Sequence, residues 1–102
     1  MGQLDEAFRD FDTALGKFGF VLAYHNKAKL LYELGEYLVS AKDYTETITL
    51  DPLFPDSYSG RALAYFHLER DKEVMVDVDQ AEELGVDRAA LEGAIQEIKK
   101  VR

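Results

Sequence analysis

The chain has 102 residues, a length that predicts a single domain spanning 1–102. Its 20 acidic residues against 12 Lys and Arg give a formal net charge of −8, which argues against general binding of nucleic acid or of membranes, since both need basic surface. The absence of cysteine excludes disulfides, thiolate metal sites and cysteine nucleophiles. No secretory leader and no apolar stretch of ~20 residues stands in the sequence, so we expect a soluble, cytoplasmic protein.

Apolar residues at helical spacing predict six helices, joined by short connections that favour antiparallel neighbours. The predicted ranges are 3–16, 21–34, 37–50, 55–68, 71–84 and a sixth helix that begins after Asp87. Gly16 and Gly19 bound a predicted break between the first two helices. The other residues expected to begin or end helices are Gly35, Asp51, Pro52, Pro55, Gly85 and Asp87.

The sequence repeats itself at an interval of 34 residues, as from Tyr24 to Tyr58. The other pairs that recur at this interval are Lys27 and Arg61, Ala28 and Ala62, Leu34 and Leu68, Asp43 and Asp77, and Leu50 and Leu84. A period of about 34 residues is typical of helical repeats, whose units bury their apolar faces against one another. Because Lys27 precedes Asp43 by the same interval as Arg61 precedes Asp77, we predict an ion pair between the two helices of each repeat. It would contribute only ~0–1 kcal/mol if exposed.

The first copy, Tyr24-x2-Lys27-Ala28-x2-Leu31 followed by Gly35, Tyr37, Ser40-x3-Tyr44 and Asp51-Pro52, resembles the tetratricopeptide repeat. The second copy, Tyr58-x2-Arg61-Ala62-x2-Tyr65 with Val74-x3-Val78, is similar, with Glu69 and Val86 in the places of the middle glycine and the closing proline. Residues 2–16 resemble the second helix of a further repeat, with Asp10 in the place of Asp43.

This resemblance implies an all-α fold, a short α-solenoid of antiparallel helix pairs. A half repeat at 2–16 would precede complete repeats at 21–54 and 55–87, and a capping helix at 88–102 would close the C-terminal end. Ala28 and Ala62 would let paired helices approach closely. The aromatic residues Tyr24, Tyr44, Tyr58 and Tyr65 either fill the gaps beside these alanines or, as the alternative, form a cofactor pocket. We expect no cofactor.

The resemblance also implies that the first helix of each repeat lines a concave groove for an extended peptide or a partner helix. By position, this predicted groove comprises Leu22, His25, Asn26, Lys29, Tyr32, Glu33, Asp56, Ser59, Leu63, Phe66 and His67. The alternative is ordinary helix surface with no ligand. Members that bind the carboxylate of chaperone tails carry basic residues and asparagines at set places. This chain departs from that pattern, because Asp56 and Gly60 stand where basic residues are expected. Asp56 would repel a carboxylate.

Catalytic and metal-binding arrangements are not found in the sequence. His25 and His67 are its only histidines and occupy non-equivalent repeat positions, and no phosphate loop or paired-histidine motif is present. We therefore expect no enzymatic activity and no metal site. The seven acids between Glu69 and Glu83 indicate either a solvated helix face or a surface for a basic partner.

These patterns favour a non-catalytic protein–protein interaction module that binds a peptide or partner helix in the groove. The alternative is a structural scaffold that self-associates, for instance as a homodimer, through an uncovered N-terminal helix. An exposed apolar stripe of that kind invites association. The residues of this stripe are Leu4, Phe8, Phe11 and Leu15.

Overall fold

The structure is a computed structural model that describes the backbone of residues 2–101 and the side chains of residues 18–101. Its five helices are α1 (Gly2–Glu33), α2 (Tyr37–Leu50), α3 (Pro55–His67), α4 (Asp71–Glu83) and α5 (Arg88–Val101). The described backbone contains no β-strand, so the predicted all-α class is confirmed over this range. No helix in the described part is long and apolar enough to cross a membrane.

The predicted break between the first two helices is wrong. Helices expected at 3–16 and 21–34 form the single helix α1, which continues through Gly16 and Gly19. A glycine inside a helix costs only about 1 kcal/mol, and the first proline of the chain is Pro52, so nothing in this segment forces the helix to end. Residues 2–16 therefore continue directly into the helix that was predicted at 21–34.

Consecutive helices pack as antiparallel neighbours. Between α1 and α2, Lys27 lies near Asp43, whereas Tyr32, close to the turn, contacts Tyr37. Between α3 and α4, Arg61 pairs with Asp77 in the same antiparallel sense. Two helical hairpins, α1–α2 and α3–α4, result, and they contain the segments predicted as the two complete repeats.

The first helices of the two hairpins lie side by side and point in the same direction. Near the start of α3, His25 of α1 contacts Phe54, and near its end Tyr32 contacts His67. The two contacts follow the same order along both helices, which makes α1 and α3 parallel. This arrangement brings the residues of the predicted groove onto neighbouring helices.

Both predicted ion pairs are present, and they differ in burial. Lys27 Nζ lies 3.5 Å from Asp43 Oδ2, and the lysine side chain is 61% exposed. Arg61 instead donates two hydrogen bonds to Asp77, of 2.9 and 2.8 Å, and a third to Thr45 Oγ1 on α2 at 3.1 Å. Because the Asp77 side chain is only 2% exposed, the second pair is a buried bidentate contact that joins three helices.

Helices α1 and α3 end in the same turn, at equivalent repeat positions. After α1, Gly35 donates to the Tyr32 carbonyl and Glu36 to the Leu31 carbonyl, which is the Schellman arrangement of a helix C-terminus. After α3, Glu69 and Arg70 repeat these bonds. Gly35 has φ +81°, and Glu69 adopts φ 60°, a left-handed conformation that side chains other than glycine rarely take.

The main cluster of buried apolar side chains lies in α3, α4 and α5. Its members are Tyr58, Ala62, Val74, Val78, Ala81 and Leu91. The predicted N-cap at Asp87 is confirmed, since its Oδ1 accepts the backbone N–H of Ala89 at 3.0 Å. Helix α5 is also tied to α4 by Arg88, whose guanidinium contacts Asp79, Glu82 and Glu92.

The interface between the two hairpins is more polar than this cluster. Thr47 of α2 and Ser57 of α3 are both fully buried, and their hydroxyls share a hydrogen bond. Thr47 also donates to the Tyr44 carbonyl of its own helix. With the bond from Arg61 to Thr45, side-chain hydrogen bonds link α2 to α3 at two places.

Candidate functional site

A pocket of about 340 Å³ lies between α1 and α3, and we call it the α1–α3 pocket. Its lining residues are His25, Lys29, Tyr32, Glu33, Tyr44, Asp56, Ser59, Gly60 and Leu63. All of these except Tyr44 and Gly60 belong to the groove predicted from the sequence. The structure therefore brings most of the predicted groove residues together around one cavity.

Opposite walls of the pocket come from equivalent repeat positions. His25 of α1 and Ser59 of α3 are separated by the same interval as Tyr24 and Tyr58, and so are Lys29 and Leu63. Each pair occupies the same place on its own helix, and the two helices lie side by side. The repeat equivalents of Tyr32, Glu33 and Asp56 do not line the cavity, so the sequence period accounts for part of the lining only.

Gly60 allows α3 to lie close to α2 at the base of the pocket. A Cβ at this position would overlap the ring of Tyr44, which is 4% exposed. Burial raises the pKa of Tyr44 to about 12, and the Tyr32 phenol and then the carboxylates of Asp56 and Glu33 act in the same direction. The Tyr44 hydroxyl therefore stays neutral, and it experiences the charge of both acids.

His25 is held by two aromatic neighbours. Its ring lies edge-on to Tyr44 and Phe54, with centroids 5.6 and 5.1 Å away. Burial lowers the pKa of His25 below its usual 6.5, although the Asp56 carboxylate opposes this effect, and Lys29 lowers it further. The imidazole is consequently neutral at neutral pH, so that one ring nitrogen can accept a hydrogen bond.

The pocket contains polar atoms that no described residue satisfies. His25 Nδ1 and Ser59 Oγ are buried and have no hydrogen-bond partner within residues 18–101. An unsatisfied buried polar group costs roughly 1–3 kcal/mol, so these two atoms lower the stability of the chain around the pocket. Lys29, Glu33 and Asp56 are exposed at the pocket and form no ion pair with another described residue.

One end of the pocket is fixed by an aromatic cluster. The Tyr32 hydroxyl shares a hydrogen bond of 3.1 Å with His67 Nε2. The His67 ring stacks on Tyr37 with centroids 3.8 Å apart and an interplanar angle of 4°. His67, predicted as a groove residue, does not line the pocket but packs behind Tyr32 and fixes its position.

Three other residues of the predicted groove lie away from the pocket. Leu22 and Asn26 are exposed on α1 and do not line it. Phe66 packs against the apolar cluster of α3, α4 and α5 and does not line the pocket, although it was predicted as a groove residue. The repeat position alone could not predict this packing, because the packing involves α5, which lies outside the repeats. Ile95 of α5 packs against the same cluster and lines a cleft together with Phe66.

That cleft, between α3, α4 and α5, is a second cavity of about 310 Å³, and it adjoins a larger one of about 600 Å³. Its lining residues are Phe66, Asp71, Val74, Met75, Val78, Glu92, Ile95 and Gln96. We favour the α1–α3 pocket as the candidate site, although it is smaller than the adjoining cavity. Two of the three buried polar atoms that lack a partner in the described part belong to its lining.

The sequence did not identify Tyr44 and Gly60 as pocket residues. A glycine in the middle of an otherwise regular helix was the available signal for a close helix contact at position 60. The predicted self-association residues Leu4, Phe8, Phe11 and Leu15 lie outside the described side chains.

The chemistry of the α1–α3 pocket is that of recognition by hydrogen bonds, charge and aromatic surface. Within the described residues, no cluster of His, Asp and Glu could hold a metal ion. Comparisons with models of known protein families, with curated proteins and with solved structures find no match to this chain.

Proposed function

We propose that this chain is a non-catalytic protein interaction module whose α1–α3 pocket accepts a side chain of a bound peptide segment. The observation that carries the proposal is the convergence of seven residues of the predicted groove, from two neighbouring helices, on one cavity. In this proposal the hairpins α1–α2 and α3–α4 form a short array similar to tetratricopeptide repeats.

The size and lining of the pocket suit a peptide better than a compact ligand. A volume of about 340 Å³ is at the low end for small-molecule sites. It has room for one large side chain, while the exposed α1 residues Leu22 and Asn26 extend the surface beyond it. A segment that places one anchoring side chain in the pocket would gain specificity from the groups lining it.

A peptide library displayed on phage tests this proposal. The full chain is the bait, and the dissociation constants of the selected peptides are measured for the wild type and for two pocket variants. Ser59→Phe fills the cavity from α3, and Glu33→Lys reverses a charge on its exposed rim. We expect both changes to weaken binding by about tenfold or more, equivalent to roughly 1.4 kcal/mol.

The matched control is Glu46→Lys, which makes the same charge reversal at an exposed position of α2 that lines no described cavity. Circular dichroism checks that each variant keeps its helix content. If no library peptide binds the chain, or if binding is unchanged in both pocket variants, the proposal is wrong.

A second candidate function, self-association through α1, is favoured by a separate observation. On the continuous helix α1, the predicted stripe extends in sequence to Phe18 and Leu22, with members alternately four and three residues apart. This spacing is the heptad pattern of helices that pack against one another. The Phe18 and Leu22 side chains are 59% and 37% exposed.

Sedimentation equilibrium separates this candidate from a monomeric module. If α1 pairs with α1 of a second copy, the mass rises with concentration, and Phe18→Glu returns it to that of the monomer. Phe20→Glu is the control, because Phe20 is 61% exposed but lies off the heptad stripe. A wild-type mass that stays monomeric at every concentration, or an equal effect of both changes, eliminates self-association through this stripe.

A further inference from the structure

Hydrogen-bond acceptors predominate among the groups that the α1–α3 pocket offers a ligand. The carboxylates of Glu33 and Asp56 accept hydrogen bonds only, and neither forms an ion pair with another described residue. A matching ligand group therefore carries several donors.

The charge of the pocket favours a cation. Two carboxylates face a single ammonium group, that of Lys29, and both carboxylates act on the buried Tyr44 hydroxyl. The chain as a whole carries a formal net charge of −8, so its long-range field also attracts basic partners. His25 adds no opposing charge at neutral pH, because burial lowers its pKa.

The shape of the pocket favours a flat group. Aromatic rings of Tyr32 and Tyr44 and the aliphatic side chain of Leu63 line it beside Gly60. A guanidinium is planar, stacks on aromatic rings and presents five N–H donors in one plane, whereas an ammonium is a compact and strongly hydrated charge. Of the two common cationic side chains, arginine matches both the surface and the acceptors.

We propose that the α1–α3 pocket recognises an arginine side chain in a peptide segment of a partner protein, its guanidinium pairing with the carboxylates of Asp56 and Glu33. This inference rests on the proposed function and specifies its ligand. Tyr44 packs against the face of the guanidinium. Lys29 opposes binding by repulsion, so its removal strengthens the complex.

Chemical-shift titration of the isotope-labelled full chain tests the inference with defined probes. The probe is a blocked pentapeptide with arginine between pairs of alanines, compared with the same peptide carrying citrulline, lysine or glutamate. Citrulline has nearly the shape of arginine without its charge. We expect the arginine peptide to shift the amides of His25, Ser59 and Gly60, with the citrulline peptide about ten- to a hundredfold weaker.

Variants identify the groups responsible. Asp56→Asn and Glu33→Gln each weaken binding of the arginine peptide about tenfold, because each removes a charge-assisted hydrogen bond. Lys29→Gln strengthens it several-fold. Glu46→Gln is the matched control, because it removes a carboxylate that is exposed on α2 and lines no described cavity; its affinity stays at the wild-type value.

Two results overturn the inference. One is equal binding of the arginine and citrulline peptides, and the other is an arginine-dependent shift that persists unchanged in Asp56→Asn and Glu33→Gln. If library peptides without arginine bind in the pocket with the same affinity for the wild type, Asp56→Asn and Glu33→Gln, the inference fails while the proposed function stands. If neither the library nor the pentapeptides yield a ligand for the pocket, both fail.

Discussion

Arg61 and Asp77 form a buried bidentate pair that fastens α3 to α4, and the same guanidinium reaches Thr45 on α2. Removing the carboxylate would leave the arginine charge, whose side chain is 17% exposed, without a partner. We expect Asp77→Ala to lower the free energy of unfolding by about 3–5 kcal/mol. Urea unfolding followed by far-UV circular dichroism measures this loss, since the chain has no tryptophan.

The equivalent pair of the first hairpin supplies the comparison. Lys27 is mostly exposed and lies 3.5 Å from Asp43 Oδ2, which accepts no hydrogen bond from a described residue. Because Lys27→Ala removes no hydrogen bond from the Asp43 carboxylate, it should cost less than Asp77→Ala, about 1–2 kcal/mol. Equal losses from Lys27→Ala and Asp77→Ala would show that burial does not distinguish the two pairs.

Gly60→Ala tests the close contact at the base of the pocket. Alanine normally stabilises a helix relative to glycine by up to about 1 kcal/mol, but here the new Cβ would overlap the Tyr44 ring. We expect a net destabilisation of about 1–3 kcal/mol, which the double variant with Tyr44→Leu partly recovers. Gly93→Ala is the control, because a Cβ at this position of α5 meets no atom within 4 Å, and it should stabilise the chain.

Glu69 tests the cost of the left-handed turn after α3. Its φ of 60° suits glycine, which occupies the equivalent position 35 after α1. We expect Glu69→Gly to be more stable than Glu69→Ala by about 1 kcal/mol, because both lack the glutamate side chain and only glycine relieves the backbone. The same denaturation experiment measures the difference, and equal stabilities of the two variants would contradict the explanation.

His25 should make the folded chain sensitive to mild acid. Because its pKa in the folded state is lowered below the unfolded value of 6.5, the unfolded chain binds the proton more readily. Its contribution is fully present above the unfolded pKa and is lost as pH falls towards the folded pKa. We expect His25→Gln to remove part of the decline in stability between about pH 7.5 and pH 5.5, measured by urea unfolding across this range. An identical decline in wild type and variant would falsify this assignment.

Much of the fold followed from local signals in the sequence. Pro55 and Asp87 marked helix starts, Gly35 and Gly85 marked helix ends, and these boundaries agree with the structure to within a residue or two. Each of these residues acts through its own backbone or its nearest neighbours. The repeat period also predicted the two ion pairs, because it showed which positions in the two repeats are equivalent.

Other features depended on contacts between distant segments and could not be predicted in this way. Gly16 and Gly19 permit a break in α1 but do not require one, and the chain continues as helix. The position of Phe66 depends on α5, which lies outside the repeat, and the pocket base depends on how closely Gly60 approaches Tyr44. In each case tertiary packing decides between conformations that local sequence allows.

The polar interface between the hairpins has a mechanical consequence for the pocket. One wall belongs to α3, which is anchored in the main apolar cluster. The other belongs to α1, whose hairpin partner α2 contacts α3 through the buried hydroxyls of Thr47 and Ser57. The first hairpin is therefore the part expected to open first in local unfolding. A ligand bound to both walls would hold α1 against α3. Its binding free energy would therefore add to the stability of the first hairpin against local unfolding.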